Sequence, residues 1–452
     1  MPLLGATGGG SAKGFGALAN LGYFIRNSLR FRGSNSAYLK RTPSASSNQQ
    51  TWTWSGWVKR GALGSTQRIF ASDNSGVNQA ALGFNSSDTL FFLSYITAFQ
   101  INLVTTQVFR DPSAWYHIVL VLDTTQATAS NRTKIYVNGT QVTAFSTATY
   151  SAQNYNGVVN GNFPYYLGTY FNATNGEFLD GYMGEINFID GQALTPSSFG
   201  KTDTLTNQWI PKKFAGTYGT NGFYLKFADA SAATAAAIGK DTSPNGNNWT
   251  PNNISVTAGV TYDAMIDSPT LSAAASNYAV ANPLDKNTSI TVSQGNLNIS
   301  TTTGGANQQI RATIALPDSG KWYWETTNSG SANNFNAGIT QLTASLSVEG
   351  AGDLLYNENG IINNNGTTTS GYSTLALNDI MGLAYDADAN KLYFYKNNVL
   401  VNTGGTTPSA TGPFAPMFGM FASGNAQQIN FGQRPFAYTP PSGFKSLNTF
   451  NI

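Results

Sequence analysis

The chain has 452 residues, 41% hydrophobic and 13% aromatic but only 10% charged, so there is apolar material for two cores while Gly, Asn, Thr and Ser carry most of the polarity. Lys plus Arg of 24 against Asp plus Glu of 22 leaves +2, which excludes the basic stripe that nucleic-acid binding needs. Zero cysteines remove disulfides, thiolate nucleophiles and Cys-held metal centres together.

The opening MPLLGATGGGSAKGFG lacks the apolar region of an export signal, and no apolar run approaches the ~18 residues of a membrane span. Synthesis in a cytosol without Sec export, and no membrane insertion, are expected. Residues 1–27 are too Gly-rich to form a core and read as an arm that orders against a partner, with Gly8, Gly9, Gly10, Lys13 and Phe15 as the anchoring candidates. The glycines miss the phosphate-loop pattern, because Gly10 is followed by Ser11.

Residues 28–200 read as one β-sandwich. TWTWSGWVKR at Thr51–Arg60 alternates, with Trp52 and Trp54 on one face and Trp57 on the other. WYHIVLVLD at Trp115–Asp123 is apolar without interruption, the mark of a strand buried on both faces. Lys134 to Val142 contains Asn138-Gly139, which accepts the two positive φ angles of a type I′ hairpin. Residues 201–270 read as an irregular connector packed on that sandwich, with a helix-capable Ala-rich stretch from Ala230 to Ile238 and a run of turn formers from Asp241 to Trp249. Residues 271–452 repeat the logic: GKWYWE at Gly320–Glu325, a strand from Ile380, the Asp386–Asn390 turn, and a strand, Asn397-Asn398 turn and strand beyond it. The expected fold is all-β, two jelly-roll-like antiparallel β-sandwiches in series behind a Gly-rich arm.

The order NSLRF, SAYLKRTPSAS, TWTWSGWVKR, RIFAS, WYHIVLVLD, IYVNG and GYMGEINFIDGQAL resembles the concanavalin A-like lectin and laminin-G-like family, most of all the form found in tailed-phage structural proteins. GKWYWE, AGIT, DIMGLAYDADANKLYFYKNN and the tail INFGQRPFAYTPPSGFKSLN resemble SPRY domains, and GGGSAKGFG is similar to openings of phage virion fibre proteins. Together these resemblances imply a virion protein in which the arm is the anchor, and a homotrimer.

Chemistry is scarce. The single histidine, His117, lies within the buried run and reads as a packed side chain, with no second histidine to share a transition metal. Glu177 with Asp180, and Glu185 with Asp190, miss the Glu-x-Asp-x-x-Glu spacing of the related glucanases, so no catalytic residue is expected. Laminin-G-like domains often hold calcium at the rim; Asp73, Asp88, Asp123 and Asp180 are possible oxygen ligands by that resemblance, but no loop is densely acidic. No cofactor is expected. Tyr165, Tyr166, Tyr170 and Phe171 crowd one strand and its exit, and Tyr165, Tyr170 and Phe171 are candidates for stacking on sugar. SPRY domains bind through variable loops, so Ala351 to Thr369, with Asn357, Asn359, Asn363, Asn364 and Asn365, is the second ligand-binding candidate.

The expected function is that of a non-enzymatic tail fibre or receptor-binding protein in the virion, on the tail rather than the head. Its expected partners are other virion proteins and a host-surface glycan or receptor. The rivals are a capsid decoration or head-fibre protein and a glycan depolymerase.

Overall fold

The computed structural model describes residues 22–74, 77–170, 177–304, 308–330 and 334–452. The anchoring candidates Gly8, Gly9, Gly10, Lys13 and Phe15, and the ligand candidate Phe171, lie outside them. Among the described residues strands and short 3-10 turns form all the regular structure, with no α-helix and none long and apolar enough to cross a membrane. The chain divides into two compact units: one runs to Thr257 and includes Thr261–Ala275, the other is Ser276–Ile452 with Ala258–Val260.

The first unit is a sandwich of two antiparallel sheets. One follows the order Thr140–Gln141, Thr133–Val137, Trp115–Asp123, Thr51–Arg60, Gly181–Asp190, Ser28–Phe31 and Ala264–Met265, with Phe223–Leu225 also paired on Gly181–Asp190. The other runs Phe145–Thr149, Ala98–Val108, Thr89–Ile96, Asn78–Phe84, Gln67–Asn74, Tyr165–Leu167, Tyr38–Arg41 and Thr250–Asn252. The uninterrupted apolar run is explained by two buried faces. Ile118, Leu120 and Leu122 enter the core between the sheets, while Val119 and Val121 pack outward under Phe199, Phe214, Tyr218 and Tyr224. Trp52 and Trp54 point into the core; Trp57 takes the outer face and stacks on His117.

Gly56 is what lets this strand carry so many indoles. A Cβ there would lie 2.6 Å from both the Ile186 Cδ1 and the Trp54 ring. Gly56→Ala is expected to cost about 1–3 kcal/mol through overpacking, read as a lower urea midpoint; an unchanged midpoint would show that the indole gives way freely.

Hairpin chemistry follows the sequence. Asn138 and Gly139 have φ of 48° and 81°, and Asn397 and Asn398 of 46° and 70°, the paired positive angles of I′ turns. The connector goes further than packing on the sandwich, because Phe223–Leu225, Thr250–Asn252 and Ala264–Met265 are strands of its sheets. It also supplies buried anions: Asp263 lies 3.0 Å from the Arg30 Nε and 2.9 Å from the Arg32 Nε, and Asp267 lies 2.8 Å from the Lys59 Nζ. The Ala-rich stretch forms turns instead of a helix; nine residues are too few to hold a helix without a packed face, and the chain must bend at once so that the Gly239 carbonyl can accept the Trp249 N–H at 2.8 Å, an approach that a Cβ at Gly239 would block.

The second unit is again two antiparallel sheets. Ala281–Lys286, Gln308–Ala312, Phe414–Met420, Phe335–Gln341, Asp353–Asn357, Ile362–Asn364 and Thr367–Thr369 form one. Ile290–Ser293, Asn298–Thr301, Ala426–Asn430, Lys321–Asn328, Ile380–Asp386, Lys391–Lys396 and Val399–Leu400 form the other, with Lys445–Ser446 added parallel to Lys321–Asn328. Trp322 and Trp324 are buried. The Glu325 carboxylate accepts the Ala437 and Tyr438 N–H groups at 2.9 and 3.0 Å, which ties the C-terminal tail to the sheet.

Candidate functional site

The outer face of the first sheet holds the most reactive-looking residues. His117 Nε2 lies 2.9 Å from the Ser55 Oγ, and the Trp209 indole N–H donates to His117 Nδ1 at 2.9 Å. Trp209 reaches this position because Gly139 and Gly200 lack the Cβ that would strike its ring. An indole nitrogen only donates, so Nδ1 must accept and the neutral imidazole carries its proton on Nε2. That proton points at Ser55. A serine nucleophile needs a lone pair there, so the pair has the polarity opposite to an activated serine. Burial pushes His117 down to about 3, which keeps it neutral.

Glu185 occupies the same face, in a strand with a register shift between Gly184 and Asn187. The bulge gives Glu185 a φ of 54° and turns its carboxyl outward, while Ile186 and Phe188 return to the core. Tyr23 donates to Oε1 at 2.8 Å and Tyr224 at 2.5 Å. Burial pushes this carboxyl up to about 7, with the two tyrosine hydroxyls and then Lys226 and Lys213 opposing the shift. Such a group is a packed polar anchor for residues 22–27, with no second carboxylate among its partners.

The open site lies at the rim, where Tyr38–Arg41 pairs with the edge strand Thr250–Asn252. A cavity of about 540 Å³ opens there between Lys40, Arg41, Thr42 and Ser44 on one side and Asn247, Thr250 and Asn252 on the other. Its wall is the turn at Asp241–Asn248, which its own hydrogen bonds hold. Asp241 accepts the Tyr224, Ser243 and Asn247 N–H groups at 2.7–2.8 Å, and the Asn247 amide donates to the Thr220 and Gly222 carbonyls. Asn247 Oδ1 is thereby aimed at Arg41, whose Nη2 donates to it at 2.5 Å. The lining is hydroxyl, amide and cation, without a carboxylate.

Residues 32–198 match the model of the concanavalin A-like lectin/glucanases superfamily. That stretch includes the Arg41 side of the cavity, while Asn247 and Asn252 lie beyond it. No curated protein matches the chain. Among solved structures it is similar to the SPRY domain of human HERC1, at 16% identity over 34% of this chain and 99% of that one with a TM-score of 0.31. It is also similar to the PSpry domain of TRIM65, at 14% identity over 34% and 91% with a TM-score of 0.28, and to a human SPRY domain, at 16% over 32% and 98% with a TM-score of 0.25.

In the first sandwich, the tyrosine candidates prove to be interior. Tyr165 is fully buried, edge-on to Phe70 and Phe188, and its hydroxyl bonds Asn160. Tyr170 is 8% exposed, beneath the Arg68 guanidinium. Neither presents a ring on which a sugar can stack, a correction to the sequence reading; a strand of three residues was too short to show which way Tyr165 faces. Burial lowers the Arg41 pKa, with Tyr165 and Asp241 opposing the shift.

The asparagine candidates are held within their own loop and by Glu349 and Thr407 on either side of it. Asn357 Oδ1 accepts the Asn359 and Ile361 N–H groups, and Asn359 donates to Glu358. Asn363 donates to Glu349, Asn364 to the Thr407 carbonyl, and Asn365 Oδ1 accepts from Gly352. Asn359 and Asn365 are exposed. The loop is a built three-stranded edge, and its amides serve that edge first.

The carboxylates are dispersed. Glu177 pairs with Arg68 at 2.6 Å, and Asp190 is held by Asn160 and Asn221. The rim aspartates do not fit a calcium ion: Asp88 is taken by Arg60 and Arg110, and Asp123 by the donors of its own turn, Thr125 and Gln126. Asp73 and Asp180 are buried in the sandwich, and among the described residues no group of three or more acids or histidines is placed to hold a metal. The site missed in the sequence was the Asp241–Trp249 turn, whose turn formers were legible but whose partner, Arg41, lies 206 residues away from Asn247.

Proposed function

We propose that this chain is a non-enzymatic virion protein of a tailed phage, a tail fibre or receptor-binding protein that attaches to a host-surface glycan through the concanavalin A-like sandwich. The observation that carries the reading is the rim cavity, open, neutral-polar in most of its lining and built on a turn that its own hydrogen bonds make rigid. Hydroxyls and amides of this kind suit sugar hydroxyls. The dispersed carboxylates and the reversed polarity of Ser55 and His117 support binding without cleavage. The likeness of GGGSAKGFG to virion fibre openings supports anchoring by the arm, and a homotrimer would raise the avidity of weak single sites without new contacts.

Immunogold microscopy of intact virions, with antibody to residues 276–452, tests the placement. Label on the tail or its fibres is expected. Label spread over the head would instead favour a decoration protein, and unlabelled virions would sink the virion reading. Incubation with purified host polysaccharide should release no reducing ends; their appearance would revive the depolymerase.

A further inference from the structure

We propose that the rim cavity selects acidic saccharides, with the Arg41 guanidinium as the determinant of charge and Lys40 as its auxiliary. This rests on the reading of the sandwich as a glycan-binding module and goes beyond it by naming the ligand class.

Among the described residues the buried cations of this sandwich are paired: Arg30 and Arg32 with Asp263, Lys59 with Asp267, Arg60 with Asp88, Arg68 with Glu177. Arg41 and Lys40 form no ion pair among those residues. Arg41 is held by one neutral amide, Asn247 Oδ1, and its Nη1 is enclosed without an acceptor. Lys40 lies over the Tyr166 ring, its Nζ 5.6 Å from the centroid, and opens onto the same cavity. Asp241 is the nearby anion, but its oxygens already accept from Tyr224, from Ser243 and from Asn247, and it is absent from the lining.

The Arg41 guanidinium has lost part of its hydration, and Asp241 compensates it only from a distance, through charge and not through an ion-pair contact. An anionic ligand supplies a counter-charge to the half-buried guanidinium and to Lys40, both of which line the cavity. Thr42, Ser44 and Asn252 around it offer neutral partners for sugar hydroxyls. An acidic sugar unit, with a carboxylate on a hydroxyl-rich ring, matches both.

The test is calorimetric titration of the full chain with tetragalacturonate and with its methyl ester, which keeps the shape and removes the charge. The acid is expected to bind at least about tenfold tighter than the ester, with the preference shrinking as salt rises. Arg41→Gln should erase the preference of acid over ester, and Lys40→Gln should reduce it in part. Lys40→Gln leaves the Asn247 contact untouched, so it reads the charge effect even if Arg41→Gln disturbs the turn. Equal binding of acid and ester, or a preference that survives both variants, would overturn the charge selection and leave glycan binding standing. No binding of either tetramer would overturn both.

Discussion

Asp263→Ala is expected to destabilise the first unit by about 3–5 kcal/mol, the cost of leaving buried charge without its partner. Asp263 is fully buried and so is Arg30, with Arg32 at 7%. One carboxylate takes the Nε of both guanidiniums and the Ser255 N–H at 2.8 Å. Removing it leaves two like charges facing each other in the interior. Further donors of those guanidiniums reach the neutral carbonyls of Tyr262 for Arg30 and Asn253 for Arg32, which satisfy hydrogen bonds but not charge. The effect is therefore larger than loss of one hydrogen bond, about 1 kcal/mol. Six of the eight tryptophans, Trp52, Trp54, Trp57, Trp115, Trp209 and Trp249, lie in this unit, so urea unfolding of the full chain followed by indole fluorescence reads it directly. Asp263→Asn keeps the shape and one acceptor and should fall between wild type and Asp263→Ala. A loss under about 1 kcal/mol for Asp263→Ala would mean that the two arginines escape to water, and that the connector does not clamp the sheet edge.

That pairing also shows where sequence reading reaches its limit. Local features were legible because their physics is local. Asn138-Gly139 announces its turn, the run from Trp115 to Asp123 announces two buried faces, and the spacing of Trp52, Trp54 and Trp57 announces their sides. Arg30 and Asp263 are 233 residues apart, and no period links them, so a segment that ends as three strands of the sandwich read as a connector. Strict alternation also misplaces Glu185: counting by twos from Met183, which is in the core, puts Glu185 inward, and only the bulge at Gly184/Asn187 turns it out. The candidate site suffered most. Aromatic abundance drew attention to Tyr165 and Tyr170, which the core needed, whereas the rim cavity is assembled from a strand end and a distant turn of plain Ser, Asn and Gly.

Glu185 and His117 make opposite demands on pH, and together they hide each other. Burial raises the Glu185 carboxyl from 4.5 to about 7, so between those values the unfolded chain has released a proton that the fold keeps. Stability from this group is complete below pH 4.5 and is lost as pH rises toward 7, by about 3 kcal/mol in all. Burial lowers His117 from 6.5 to about 3, so between those values the unfolded chain binds a proton that the fold refuses. Stability from this group is complete above pH 6.5 and falls as the solution is acidified, by about 1.4 kcal/mol per pH unit. In the shared window from pH 4.5 to 6.5 the slopes oppose and nearly cancel. Glu185→Gln removes one of them. That variant should lose about 2–3 kcal/mol relative to wild type on going from pH 6.5 to 4.5, while His117→Gln should gain a similar amount over the same interval. The difference between each variant and wild type isolates the group, because every other titrating side chain is common to both. Urea midpoints of the three proteins at pH 4.5, 5.5 and 6.5 decide it. Parallel curves would show that water reaches both groups, and with it that the cover formed by Tyr23, Trp209 and Tyr224 over the outer face opens in solution.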